Sequence, residues 1–326
     1  MAAYSMTSSN LLITSASAKV PLVRAAMDAA AKLHSEIRVI AGDLNSNVLT
    51  KYIAHEFWTM QPTRDENVPE LIHECKQRGI RAILPTRDGE LLFWSRHAMT
   101  FAEAGIKVIV SPPESLERCL DKTLFSEFGC QRGLPVIPTS SSIDDIDAKL
   151  FVVKERFGAG SRSLGLSLNR DAAIVHAMAL QSPIFQPFIE GGEISIDAWT
   201  NVHGHVDGLV LRRRDEVVNG ESRITTTFRD AVLESRAKQW IEAYGVRGPV
   251  VMQVLLDAAG VPHIIELNAR FGGASTTSIQ VGLDSLYWSL LEANGGDVSQ
   301  HPFVRSAMEV RQVRIPTDIH IHGTNL

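Results

Sequence analysis

The stretch Val250–Gly273, VVMQVLLDAAGVPHIIELNARFGG, constrains the fold more than any other. Its two apolar runs, Val250 to Asp257 and Ile264 to Asn268, are separated by Ala258, Ala259 and Gly260, which can reverse the chain as a short hairpin. Strand side chains alternate, so Glu266 and Asn268 are expected on one face, with Ile265 and Leu267 on the other. The returning strand brings Gln253 beside Glu266, and Arg270 follows at the same alternation. Three hard oxygen donors on one surface suit a magnesium ion that keeps some waters and takes its other ligands from phosphates. A hairpin with a merely solvated outer face would carry the same Glu266 and Asn268, so the rest of the chain has to decide.

At 326 residues the chain has room for two or three domains with separate cores. A net charge of -5 with no basic block argues against a nucleic-acid partner. Cys75, Cys119 and Cys130 are three in number and lack paired or metal-type spacing, which fits core thiols in a reducing compartment. The opening MAAYSMTSSN has no charged region followed by a long apolar run, and no stretch reaches the length of a membrane span. A cytoplasmic protein without a membrane partner is expected.

The first third alternates strand and helix. Leu11–Thr14, Ile37–Ala41, Ala82–Pro85 and Lys107–Val110 read as strands, and Pro21–His34, Asn67–Arg78 and Gly89–Ala104 as helices. The pattern is that of a doubly wound parallel sheet. Its first turn reads Ser15, Ala16, Ser17, Ala18, Lys19 and has no glycines for a pyrophosphate to approach, so Asp43 is not read as a ribose ligand of NAD. Ligands of such sheets sit at the carboxyl ends of strands, which makes Asp88 a candidate for touching substrate, although residues there also cap helices.

Ser111 to Glu114 reads as a capping box, and Asp121 as the cap of a second helix that Gly133 and Pro135 stop. A domain boundary is placed near residue 112. Lys154 ends a strand and leads into a loop with Gly158, Gly160, Ser161 and Gly165, whose backbone can fold over phosphates or simply form a flexible hairpin. Then Gln186, Pro187, Phe188 and Ile189 precede Gly191 and Gly192. The following strand carries Glu193 and Asp197 on one face, as a hinge beside a pocket or an edge strand would.

Taken as a set, Lys122, Lys154 with its glycine loop, the Gln186–Glu193 segment, and Gln253, Glu266 and Asn268 occur in the order and spacing of the ATP-grasp superfamily. The chain resembles its carbamoyl-phosphate-synthase-like branch of stand-alone carboxylate–amine ligases, including the LRRRDEVVNGES segment from Leu211 to Ser222. The resemblance implies an α/β protein: a Rossmann-like pre-ATP-grasp parallel-sheet domain over 1–112, a small lid region with the glycine loop over 113–185, and a larger antiparallel catalytic region over 186–326. It implies ATP with Mg2+, or Mn2+ in its place. Lys122, Lys154, Gly160 and Ser161 would hold the nucleotide phosphates, the main chain of Gln186, Pro187, Phe188 and Ile189 the adenine edge, and Glu193 the ribose. Gln253, Glu266 and Asn268 would hold the metal, and Arg270 and Arg214 would face the transferred phosphoryl group. A small-molecule carboxylate and an amine are the implied substrates, and a homodimer the implied assembly.

Glu155 stands where a proline often follows the loop lysine, Ser163 and Leu164 replace a glycine–hydrophobic pair, and Ala269 replaces a frequent proline. None of these removes a charged group that the chemistry needs. Carbamoyl-phosphate-type chemistry normally couples two such halves, and this chain has one. A regulatory nucleotide-binding protein would fit a chain that had lost its metal set or Arg270, and both are present. His203 with His205, and His320 with His322, stand at strand spacing and read as exposed pairs rather than metal ligands.

Overall fold

The computed structural model of the chain describes residues 9–158, 163–218 and 220–321. The run NLLI of β1 (Asn10–Ile13) is buried at every position, as a central parallel strand covered on both faces must be. It is followed by α1 (Val20–Leu33), with proline in its first turn, β2 (Val39–Asp43), β3 (Glu56–Thr59), α2 (Val68–Gln77), β4 (Ile80–Leu84), α3 (Asp88–Arg96), α4 (Ala98–Glu103) and β5 (Lys107–Val108). These five strands form one parallel sheet in the order β3-β2-β1-β4-β5, so the direction of winding reverses between β1 and β4. The short strand β3 has no counterpart in the sequence reading, and the helix expected over Gly89–Ala104 is two helices that break at His97.

Next come α5 (Pro113–Leu120) and α6 (Lys122–Gln131), then β6 (Phe151–Glu155), β7 (Gly165–Leu168), α7 (Arg170–Ala177) and β8 (Pro183–Pro187). The three strands make a small antiparallel sheet, β7-β6-β8. Asp121 caps α6 as expected, accepting from the N–H groups of Thr123 and Leu124. Ser111 is not the cap of α5. Its hydroxyl donates to the Arg247 carbonyl and accepts from the Arg247 N–H, tying the start of α5 to the residue before β12.

A six-stranded antiparallel sheet, β13-β12-β9-β10-β11-β14, contains β9 (Gly191–Thr200), β10 (Val206–Val218), β11 (Glu221–Phe228), β12 (Gly248–Asp257), β13 (Pro262–Asn268) and β14 (Arg311–Val313). The helices α8 (Ala231–Ala243), α9 (Thr276–Ile279) and α10 (Ser285–Ala293) accompany it. Strand β14 is the added edge strand that Val310–Ile315 suggests in sequence. The outer side of β13 is partly closed, because Ile264 donates to Pro135 and accepts from Ile137. At Gly191 a Cβ would overlap the Leu256 carbonyl, so the close pairing of β9 with β12 needs glycine there. Among the described residues no helix is long and apolar enough to cross a membrane.

Helix α10 fills the space between the parallel sheet and the six-stranded sheet. Leu286, Trp288 and Leu290 share one core with Ala26, Ala29 and Ala30 of α1 and with Trp199 of β9. The Trp199 and Trp288 rings meet edge to face with centroids 5.6 Å apart, and the Trp199 indole N–H donates to Ser289. Aromatic pairs gain from this geometry beyond the area they bury. Trp288→Ala should therefore cost about 3–5 kcal/mol of unfolding free energy, read as a lowered urea midpoint with the slope unchanged.

Candidate active site

Strands β12 and β13 pair with Gln253 opposite Glu266 and Val251 opposite Asn268. The pairing shifts between Gln253 and Val254, a bulge that places Ile265 as an extra residue. Ile264 and Leu267 are therefore the buried pair, and Ile265 is turned partly outward to line a cleft beside Glu266; the expectation that Ile265 enters the core is corrected. The Glu266 carboxylate accepts from the Asn268 amide at 2.8 Å and from the Gln253 amide at 3.0 Å, and the Gln253 oxygen accepts from Arg214 Nη1 at 3.2 Å. One carboxylate and two carboxamides supply hard oxygens, and both amides can turn their oxygens outward by rotation about a soft terminal torsion. That donor set fits a magnesium ion.

Arg270 is gripped by Asp88, the first residue of α3. Its Nε and Nη2 each donate to one Asp88 oxygen at 2.6 Å, and Nη2 also donates to Asn268 at 3.2 Å. The bidentate fork fixes the guanidinium plane as well as its position. Burial pulls the Arg270 pKa down, but the charges of Asp88 and Glu266 outweigh it and hold the group above the usual arginine range. Asp88 thus stands beside the metal-type residues, 182 positions away in sequence from the arginine that it orients.

Lys122 opens α6, and its ammonium donates to the carbonyls of Arg156 (3.3 Å) and Gly158 (3.0 Å), at the root of the glycine loop. Gly160 and Ser161 lie outside the described residues. The Arg156 side chain is held in turn by both oxygens of Asp121, at 2.8 and 2.6 Å. Burial lowers the pKa of Lys122, against the opposing charges of Glu266 and Asp88. Lys154 is brought to about 8 by burial, with Glu266 opposing and Lys122 adding to the shift. Glu155, the unusual residue after Lys154, accepts from the N–H groups of Gln181 and Ser182 and so braces the entry to β8.

The Gln186 amide is buried and donates to Thr139 at 2.7 Å. Phe188 spends its N–H on the Leu150 carbonyl at 2.8 Å, and Pro187 has none, which leaves the Ile189 N–H without a partner among the described residues. Glu193 is ion-paired with Arg214, which also donates to Gly220 O at 2.7 Å and Ser222 Oγ at 3.1 Å. Burial raises the Glu193 pKa although Arg214 opposes it. Gln253 links Arg214 to Glu266, so the arginine is continuous with the metal-type set.

Two spaces meet at this set. A cavity of about 910 Å³ is lined by Lys19, Asp88, Arg214, Glu266, Asn268 and Arg270 among others, and a narrow cleft beside Lys122 and Gly158 is lined by Asp88, Ile265, Glu266 and Asn268. Asp88, Glu266 and Asn268 form the wall between them.

Two residues of this region, Lys19 and Arg212, escape a reading of the sequence for function. Lys19 donates to the Ser15 carbonyl and the Thr86 hydroxyl, each at 2.8 Å, and burial lowers its pKa to about 8 against the charge of Glu90. Arg212 and Asp197 form a pair that is only 2% exposed on each side. Asp197 accepts from Arg212 Nε at 2.5 Å, from Ser275 at 2.6 Å and from Ser278 at 2.5 Å. A lysine at the carboxyl end of β1 was the one available signal; the Arg212–Asp197 pair had none, since its register is set by β9 and β10 together. His203, His205 and His320 are exposed, His322 lies outside the described residues, and no group of three His, Cys, Asp or Glu side chains that could hold a metal occurs among the described residues.

Residues 180–316 match the family model described as ATP-grasp in the biosynthetic pathway with Ter operon, and residues 11–109 match the PylC-like N-terminal domain. Residues 180–316, which carry Glu193, Gln253, Glu266 and Asn268, are thus similar to ATP-grasp proteins. It is 26% identical over 280 residues to the biotin carboxylase of Halalkalibacterium halodurans, covering 75% of this chain and 61% of that protein. To the carbamoyl phosphate synthase large chain of Thermomicrobium roseum it is 24% identical over 247 residues, 66% of this chain and 22% of that one. The chain thus spans less than two thirds of the length of either relative. The L-amino acid ligase from Bacillus licheniformis has the same fold, with a TM-score of 0.72 at 17% identity over 95% of this chain and 80% of that one.

Because the folded pKa of Lys154 lies below its unfolded value of about 10.4, its burial penalty is present in full below pH 8 and fades as pH rises toward 10. The unliganded protein should gain stability over that window, and Lys154→Met should flatten the slope in chemical denaturation at pH 7.5, 8.5 and 9.5. A polyanion beside Lys154 restores its proton. If a nucleotide's phosphates bind there, binding at pH 8.5 takes up protons in calorimetry across buffers of different ionisation enthalpy, and Lys154→Met reduces the uptake.

Proposed function

We propose that the chain is an ATP-dependent carboxylate–amine ligase that works through an acyl phosphate and releases ADP and phosphate. The observation that carries this reading is the wall of Asp88, Glu266 and Asn268, with Arg270 anchored to it, standing between a cleft beside Lys122 and a cavity of about 910 Å³. An arrangement with cations on one side and room for a small acid on the other suits phosphoryl transfer, which is mostly positioning and neutralisation of developing charge.

In this reading Lys122 and Lys154 neutralise the nucleotide phosphates, and the free Ile189 N–H meets the adenine edge. Glu193 would serve the ribose with Oε2, since Arg214 engages its Oε1. Gln253, Glu266 and Asn268 would hold Mg2+, which when bound supplies charge neutralisation on the phosphates. The substrate carboxylate oxygen attacks the γ-phosphorus, the bond to the β–γ bridging oxygen breaks, and ADP leaves. Arg270, and Arg214 beside it, stabilise the charge on the transferred group. An amine then attacks the acyl carbon, loses a proton, and expels phosphate. The mixed anhydride splits one difficult condensation into two easier steps, and no side-chain nucleophile is needed.

Incubation with MgATP and pooled small carboxylates should release ADP in an acid-dependent manner, and hydroxylamine in place of the amine should trap a hydroxamate. Glu266→Ala and Arg270→Ala should each lower the rate by about 100-fold or more. Nucleotide binding with no ADP release from any pool would instead mark a regulatory module.

A further inference from the structure

Six basic side chains line the large cavity. Four have carboxylate partners: Arg212 with Asp197, Arg214 with Glu193, Arg270 with Asp88, and Arg314 with Glu221. The other two, Lys19 and Arg87, have no carboxylate within ion-pair distance among the described residues. The carboxylate buried behind them, Glu90, is committed elsewhere: it accepts from the Thr14 hydroxyl, the Thr86 and Arg87 N–H groups and the Trp94 indole.

Both cations stand at the carboxyl ends of β1 and β4, where the winding of the parallel sheet reverses. Open α/β sheets bind ligands in that crevice. The loop that carries Lys19 is strained: Ser15 and Ser17 adopt φ of 47° and 33° without being glycine. The strain is held by specific bonds. The Ser17 N–H donates to Asp43, and the Ser17 carbonyl accepts from both the N–H and the hydroxyl of Thr50. The same loop positions the cations, since the Ser15 carbonyl accepts from Lys19 and the Ser15 hydroxyl from Arg87 Nε at 3.3 Å. With two of its directions set by Ser15 and Thr86, the Lys19 ammonium has one donor left for the cavity.

We infer that Lys19 and Arg87 bind a second anionic group on the acyl substrate, a carboxylate or a phosphate, separate from the carboxylate that is activated at Arg270. The inference rests on the ligase reading and names the class of acid within it: dicarboxylic acids or phosphorylated carboxylic acids, not simple monocarboxylic ones.

The test uses the full chain with Mg2+ and β,γ-methylene-ATP, so that acid binding is read without turnover. Calorimetry would compare matched monocarboxylic, dicarboxylic and phosphorylated carboxylic acids of three to six carbons, and ADP release from MgATP would be followed with the same acids. At least one dianionic class should bind ten-fold or more tightly than its monocarboxylic match, and the dicarboxylate and phosphate arms identify the second group. Lys19→Gln and Arg87→Gln should each collapse that ratio toward one, a change that general loss of folding would not produce; thermal unfolding checks the fold of each variant. Equal affinity for mono- and dianionic acids, an unchanged ratio in both variants, or no binding by any acid overturns the inference. If dianionic acids bind selectively but release no ADP, the ligase reading fails while the anion site stands; if monocarboxylic acids alone drive ADP release, the reverse holds.

Discussion

The pairing of Arg270 with Asp88 holds the site together. Arg270 follows β13, an edge strand of the six-stranded sheet, and Asp88 opens a helix of the parallel sheet, so one bidentate contact links two sheets built from distant parts of the chain. A guanidinium held at both ends of its fork cannot swing, which matters for a group placed where charge would develop in the proposed reaction. The pair is also largely withdrawn from water, with each side chain 18% exposed, so its attraction is screened little and its loss would leave a charge without a partner.

A second buried pair supports the sheet from behind. Arg212 and Asp197 lie on neighbouring strands, and the hydroxyls of Ser275, Ser278 and Thr225 take up hydrogen bonds that the pair leaves open. Desolvating two ions is costly unless their remaining bonding capacity is met. Here it is met largely by a turn and a short helix that follow Gly272 and Gly273, so the residues after β13 are fastened to the sheet by the same network.

Much of this was legible in sequence, because hairpins and parallel strands announce themselves by local pattern. The Gln253–Glu266 pairing followed from a three-residue turn, and the parallel sheet from alternating apolar runs. What local pattern cannot carry is contact at a distance. Asp88 was visible as a polar residue at a strand end, yet nothing local connected it with Arg270; Asp197 was visible on its strand face without Arg212 opposite. Alternation alone puts Ile265 on the wrong face, because a bulge adds one residue to a strand whose sequence still looks regular. Lys19 carries no local mark, because the loop before α1 lacks the glycines by which sequence pattern signals an anion site.

The strand that carries Glu266 and Asn268 is at an edge of its sheet, and that position has a cost that the chain avoids. Exposed edges invite other chains to add a strand. Here the outer side of Ile264 is occupied by Pro135 and Ile137, and the bulge beside it bends the remaining edge away from a straight template. At the opposite margin β14 is only three residues long and begins with an arginine. The molecule thus leaves the end of an edge strand that carries Glu266 and Asn268 open to a cavity while giving strand addition by other chains little purchase.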